Sequence, residues 1–133
     1  MIQEYKELLL RDLCARLPYG VKLDFYSRAM NEHLVSILLG IEPNNDDKPI
    51  IAKVNNGAYT LGQDHIKPYL RPMSSMTEEE REEYKHIAPG IVIEDGIRLP
   101  NINQINWLNA HHFDYRGLIE KGLAIEAPEG MYK

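Results

Sequence analysis

The closing stretch NINQINWLNAHHFDYRGLIEKGLAIEAPEGMYK, Asn101 to Lys133, decides the reading of the fold. Asn101 stands before Ile102, Ile105 and Leu108, with Gln104 three residues on, so a capping box opens a helix over about 102–110. That spacing puts three aliphatics on one face, with Trp107 on its shoulder. Asp114 then caps a second short helix over about 115–121, with Phe113 just outside it and Leu118 inside it as a hydrophobic staple. Gly122 sits where a left-handed C-cap residue is wanted, and Leu123 folds back toward Leu118 in a Schellman ending. Leu123 and Ile125 alternate with Ala124 and Glu126 as a brief strand, after which Pro128 and Gly130 mark a tight turn. Gly117, inside the second helix, costs about 0.5–1 kcal/mol relative to alanine, which points to a close backbone approach by a neighbouring element.

Upstream, Ile2, Tyr5, Leu9, Leu13 and Arg16 recur at helical spacing and predict an amphipathic helix over about 3–16, stopped by Pro18 and Gly20. Val21, Leu23 and Phe25 alternate with polar partners as a strand with one wet face. Leu34 to Ile41 is apolar on both sides and predicts a central strand, followed by a loop over 42–47 built from turn formers. Ile50–Val54 and Ala58–Leu61 flank Asn56-Gly57 as a type I′ hairpin. Residues 62–72 read as a turn and an extended segment, Pro68 and Pro72 each barring a central strand position. Thr77, with Glu80 as its box partner, caps a helix running to about His86. Ile91–Ile93 and Ile97–Leu99 form a small hairpin around Asp95-Gly96.

The pattern predicts an α+β fold. It comprises an N-terminal helix, a small antiparallel sheet of four to six short strands open to a barrel-like closure, and C-terminal helices, three of them after the sheet-rich part. The chain reads as a single domain, 1–133, in which a sheet-rich front (1–72) and a helical rear (77–133) share one core across a hinge near Ser74 and Ser75. The expected core is Leu9, Leu13, Val21, Leu23, Ile37, Leu39, Trp107, Leu108, Phe113, Leu118 and Leu123.

The 133 residues carry one cysteine, Cys14, which excludes an internal disulfide and, placed in an apolar helix, predicts a buried thiol in a reducing compartment. The start of the chain shows neither a signal peptide nor an apolar run of membrane length, so the expected location is the cytoplasm. A net charge of −5 weighs against a partner held mainly through phosphate contacts.

Three further segments carry a resemblance: WLNAHHFDYRGLIEKGLAIEAPEGMYK (107–133), IKPYLRPMSSMTEEE (66–80) and LPYGVK (17–22). They are similar to uncharacterised proteins encoded by gut Bacteroidales and their prophages. The resemblance covers roughly a third of the chain, brings no catalytic or binding residues, and implies a small cytoplasmic accessory protein carried on a mobile element.

His111, His112 and Asp114, with His33, His65 or His86, invite a metal reading. Adjacent helical residues point about 100° apart and Asp114 is already a cap, so the structural reading is favoured and no metal or cofactor is expected. Ser74 and Ser75 lack an elbow motif, Cys14 lacks an electropositive setting, and Glu78–Glu83 reads as a solvated face, so an enzyme is not expected.

Two binding classes remain. The favoured one is a non-enzymatic accessory or protein-interaction domain with an unknown protein partner. The alternative binds nucleic acid, either through a winged-helix-like C-terminal segment reading with Arg116 and Lys121, or through the basic face Lys48–Arg71. The window Lys48–Pro72 is net +3 while Glu78–Glu83 is net −4, an asymmetry that either steers a partner or pairs within the fold. The candidate interaction residues are Lys53, Lys67, Arg71, His111, His112 and Arg116.

Overall fold

A computed structural model describes residues 3–27, 30–43, 50–54, 66–87, 91–92, 98–99 and 102–132. Helix α1 (Gln3–Arg16) ends in a short 3-10 turn, Leu17–Tyr19, closed by Gly20 at φ 68°, a left-handed stop that glycine adopts at no steric cost. Strand β1 (Lys22–Ser27) follows, alternating buried Leu23, Phe25 and Ser27 with wetter Lys22, Asp24 and Tyr26. The remaining elements are β2 (Glu32–Pro43), β3 (Ile50–Val54), β4 (Ile66–Leu70), α2 (Glu78–His86), β5 (Ile91–Val92), β6 (Arg98–Leu99), α3 (Ile102–Ala110) and β7 (Ile125–Glu126).

The main sheet runs β3-β2-β1-β4-β7, and β5 pairs with β6 apart from it. The sheet is open, so the barrel-like closure does not form. It is also mixed: the first three pairings are antiparallel, but β7 lies parallel to β4 through Tyr69↔Ile125 and Leu70↔Glu126. Pro68 stands inside this sheet opposite Leu23, contrary to the expectation that it bars such a position. β7 reaches only Tyr69 and Leu70, so the amide that Pro68 lacks is not demanded on that side.

One face of the sheet packs on α1. Leu9 and Leu13 meet Val21, Leu23, Phe25, Leu38, Ile66 and Leu70, and the chain's end adds Leu118, Leu123 and Ala124 to the same cluster. Leu108 and Phe113 are also buried. Two expected core residues are displaced. Ile37 sits opposite Lys22 on the outer face and is half-buried, and Leu39 is 60% exposed. Leu39 is the extra residue of a bulge, where the register with β3 jumps between Leu38 and Gly40. Ser36 and Leu38 turn inward instead.

Other corrections have local causes. Cys14 is exposed, because it lies about 100° round α1 from the buried stripe Leu9, Asp12, Leu13 and Arg16. Trp107 is half-buried rather than central, its ring stacked on His111 and Phe113 while its indole N–H donates to Glu83. Ile102 is 71% exposed, so the buried face of α3 runs through Gln104, Leu108 and Asn109.

Residues 115–121 form a chain of turns in place of the expected helix. Gly117 has φ 73°, which a right-handed helix cannot contain, and a Cβ there would meet only the Lys121 ammonium at 3.6 Å. Its role is backbone conformation and not close approach. The expected C-terminal ending forms, while Asp114 bonds further along the chain than the N-cap of a helix would. Asp114 accepts the amide protons of Leu118 and Ile119 at 2.8 and 3.0 Å. Gly122, at φ 76°, donates to the Ile119 carbonyl and Leu123 to the Leu118 carbonyl, the paired bonds of a Schellman ending.

The Thr77–Glu80 capping box opens α2 with both of its bonds present. Of the loop expected over 42–47, Glu42 and Pro43 belong to β2 and the rest lies outside the described residues, as do Asn101 and the turns expected at Asn56-Gly57 and Asp95-Gly96. Among the described residues no helix is long and apolar enough to cross a membrane.

Candidate functional site

Two arginines fix residues 112–116 against the body of the protein. The first is Arg16, at the end of the apolar stripe of α1 and fully buried. Its Nε donates to Asp12 at 2.8 Å and its Nη2 to the Phe113 carbonyl at 2.6 Å. Asp12, also fully buried, accepts a second charge-assisted bond from Arg116 at 2.7 Å, and both guanidinium groups lie against the Tyr115 ring.

The second is Arg71, just past β4. Its amide donates to the His112 carbonyl and its carbonyl accepts from the Asp114 amide, both at 2.8 Å. Its guanidinium crosses the Phe113 ring, 4.2 Å from the centroid, and forks onto both Glu80 oxygens at 2.7 Å. Glu80 is pre-oriented by the capping box, its Oε1 accepting from the Thr77 amide at 2.9 Å. The Arg71 hydrogen bonds and, secondarily, the Thr77 amide hold the Glu80 carboxyl down at about 2 against a smaller opposing effect of burial.

Arg71 and Glu80 divide a groove. On one side is a hollow of about 340 Å³, whose walls include Tyr19, Lys22, His111, His112 and Tyr132. On the other is a hollow of about 630 Å³ carrying Glu79, Glu126 and Glu129, with Tyr132 common to both. Tyr132 is a fixed wall: its hydroxyl donates to the Tyr69 carbonyl at 2.7 Å and accepts from the Lys22 amide at 2.9 Å, and burial pushes its pKa up to about 12. His112 stacks on that ring at 3.8 Å and occupies a left-handed φ of 62°. It is 6% exposed with Nδ1 unpartnered, and burial, then the charges of Arg16, His111, Arg71 and Lys22, lower its pKa to about 4. The ring is therefore neutral near pH 7. His111 is held by an Nδ1 contact of 2.9 Å with the Trp107 carbonyl and by stacking on the Trp107 ring at 4.1 Å.

Of the six candidate residues, Arg71, His111 and His112 line one hollow. Arg116 is spent on Asp12 beside α1, Lys67 is exposed in β4 opposite Asp24, and Lys53 lies in β3 paired with Gly40. The basic and acidic windows meet in the Arg71–Glu80 pair. His33, on β2, contacts Asp24 at 3.0 Å, and His65 is outside the described residues. Among the described residues no cluster of three or more His, Cys, Asp or Glu could hold a metal ion.

Sequence reasoning missed Lys22, Glu80 and Tyr132 as groove residues, and Asp12 as an anchor. Asp12 did leave a signal: with Arg16 it forms an i,i+4 charged pair set into an apolar stripe. No family model matches the chain, and neither a curated protein nor a solved structure does.

Proposed function

We propose that the protein is a non-enzymatic interaction domain, the accessory product of a mobile element, that recognises its partner in the groove divided by Arg71 and Glu80. The observation that carries this reading is the construction of the groove. Its walls are concave, are locked by hydrogen bonds from four separate parts of the chain, and place charged and aromatic side chains at the surface of a pre-formed hollow. Rigid walls lower the entropic cost of binding, which favours recognition.

The nucleic-acid reading draws less support. Arg71 and Arg116 spend their guanidinium groups on Glu80 and Asp12, and the larger hollow carries Glu79, Glu80, Glu126 and Glu129 against Arg71, a net of −3.

The test is capture from a lysate of the source organism on the full chain and on a Tyr19→Asp, Glu129→Lys double variant, both changes falling on exposed groove residues. The expected outcome is a defined protein retained by the unaltered chain and lost by the variant. Identical retained sets would contradict the proposal.

A further inference from the structure

We infer that the smaller hollow binds a small organic carboxylate, the carboxyl group meeting the Lys22 ammonium and an apolar ring lying against Tyr19. This inference rests on the groove being a recognition site and names the chemistry of what enters it.

The charge balance comes first. Among the described residues lining the hollow, Lys22 and Arg71 are cationic and Glu80 is anionic, leaving one net positive charge. Arg71 and Glu80 neutralise each other through a two-bond fork, and Arg71 gives a further bond to the Ser75 carbonyl at 3.1 Å. The uncompensated charge is therefore Lys22. Its ammonium has three donors, gives one to the Met131 carbonyl at 3.1 Å, and pairs with no acidic side chain among the described residues. The Tyr132 ring, 5.7 Å from Nζ, leaves the remaining donors available to an oxyanion. Burial is the main cause of the lowered titration of His112, and the charges of Arg16, His111, Arg71 and Lys22 add to it in the same direction.

One net charge matches a monoanion better than a dianion. A second negative charge would find the Arg71 fork already occupied and the ionised Glu80 nearby. The lining mixes polar and apolar surface: Tyr19, 37% exposed, and the rings of His111 and Tyr132 stand beside Lys22, Arg71 and Glu80, so one end of a ligand can be charged and the other a ring. About 340 Å³ falls at the low end of the range for small-molecule sites, enough for a single-ring acid.

The experiment titrates the isotope-labelled full chain with phenylacetate, with neutral phenylacetamide and with inorganic phosphate, reading amide shifts. Phenylacetate should move the Gly20, Lys22, Ala110 and His111 amides saturably at about 1 mM, and phenylacetamide should not. Lys22→Met should weaken binding about tenfold or more, the loss of a charge-assisted bond. If that variant melts early, Tyr19→Ala, an exposed change, serves instead and should weaken binding severalfold. N-acetylphenylalanine binding more tightly than phenylacetate identifies a protein chain terminus as the source, and the reverse order a free acid. Equal response to phenylacetamide or phosphate, undiminished binding in both variants, or no shift at about 10 mM overturns the inference. Partner capture that depends on the groove without any carboxylate response removes this inference alone.

Discussion

The two arginine clusters that grip Phe113 are made of the same chemistry and differ in depth. Arg16 and Asp12 are fully buried and Arg16 holds the Phe113 carbonyl, whereas the Arg71 and Glu80 side chains are 20% and 17% exposed and Arg71 lies over the Phe113 ring. Asp12 and Arg16 are out of contact with water, with only their second partner Arg116 reaching the surface at 18% exposed, so neither can be rehydrated when the other is lost. The groove pair can be rehydrated, so it contributes little to stability and is free to shape a surface. The deep cluster anchors the chain's end, and the shallow one presents it.

The largest break in that comparison is Asp12→Ala. It strands Arg16 and Arg116 without their counter-ion, and chemical denaturation should show a loss of about 3–5 kcal/mol. Next is the pH dependence carried by His112, which belongs to neither pair but feels both. Its folded pKa of about 4 lies below the unfolded value of about 6.5, so the unfolded chain takes up the proton first. Stability is complete above about pH 6.5 and falls by roughly 2–3 kcal/mol as pH drops toward 4. His112→Asn tolerates the left-handed backbone and should flatten that slope in a denaturation series across the window.

The smallest effect belongs to Glu80→Gln, about 1 kcal/mol after allowance for solvent screening. The Glu80 carboxyl is held at about 2, so its contribution is present above the ordinary glutamate range and disappears as pH falls toward 2. The difference between the unaltered chain and Glu80→Gln should vanish at that end. A loss as large as that of Asp12→Ala would erase the distinction between deep and shallow.

Features legible in the sequence were those set by neighbours within a few residues. The α1 stripe, the Thr77–Glu80 box and the Gly122–Leu123 ending each depend on one turn of chain. Local signals could not say which face of β2 is buried, because both are apolar and the bulge at Leu39 shifts the register. Nor could they give the sign of φ at Gly117, which decides between a helix and a string of turns. In the groove, Arg71, His111 and His112 were singled out for their chemistry. Their meeting with Lys22 and Tyr132 depends on bonds spanning 110 and 63 residues, which no local pattern encodes. The Asp12–Arg116 bond spans 104.

Amide hydrogen exchange at Arg71 and across residues 112–123 tests the anchoring most directly. The Arg71, Asp114, Leu118, Ile119 and Leu123 amides, each donating to a partner within the fold, should exchange as slowly as those of β1 and rise to β1 levels of protection together. Fast exchange at Leu118, Ile119 and Leu123 beside a protected β1 would contradict it, and with it the rigid wall on which the groove depends.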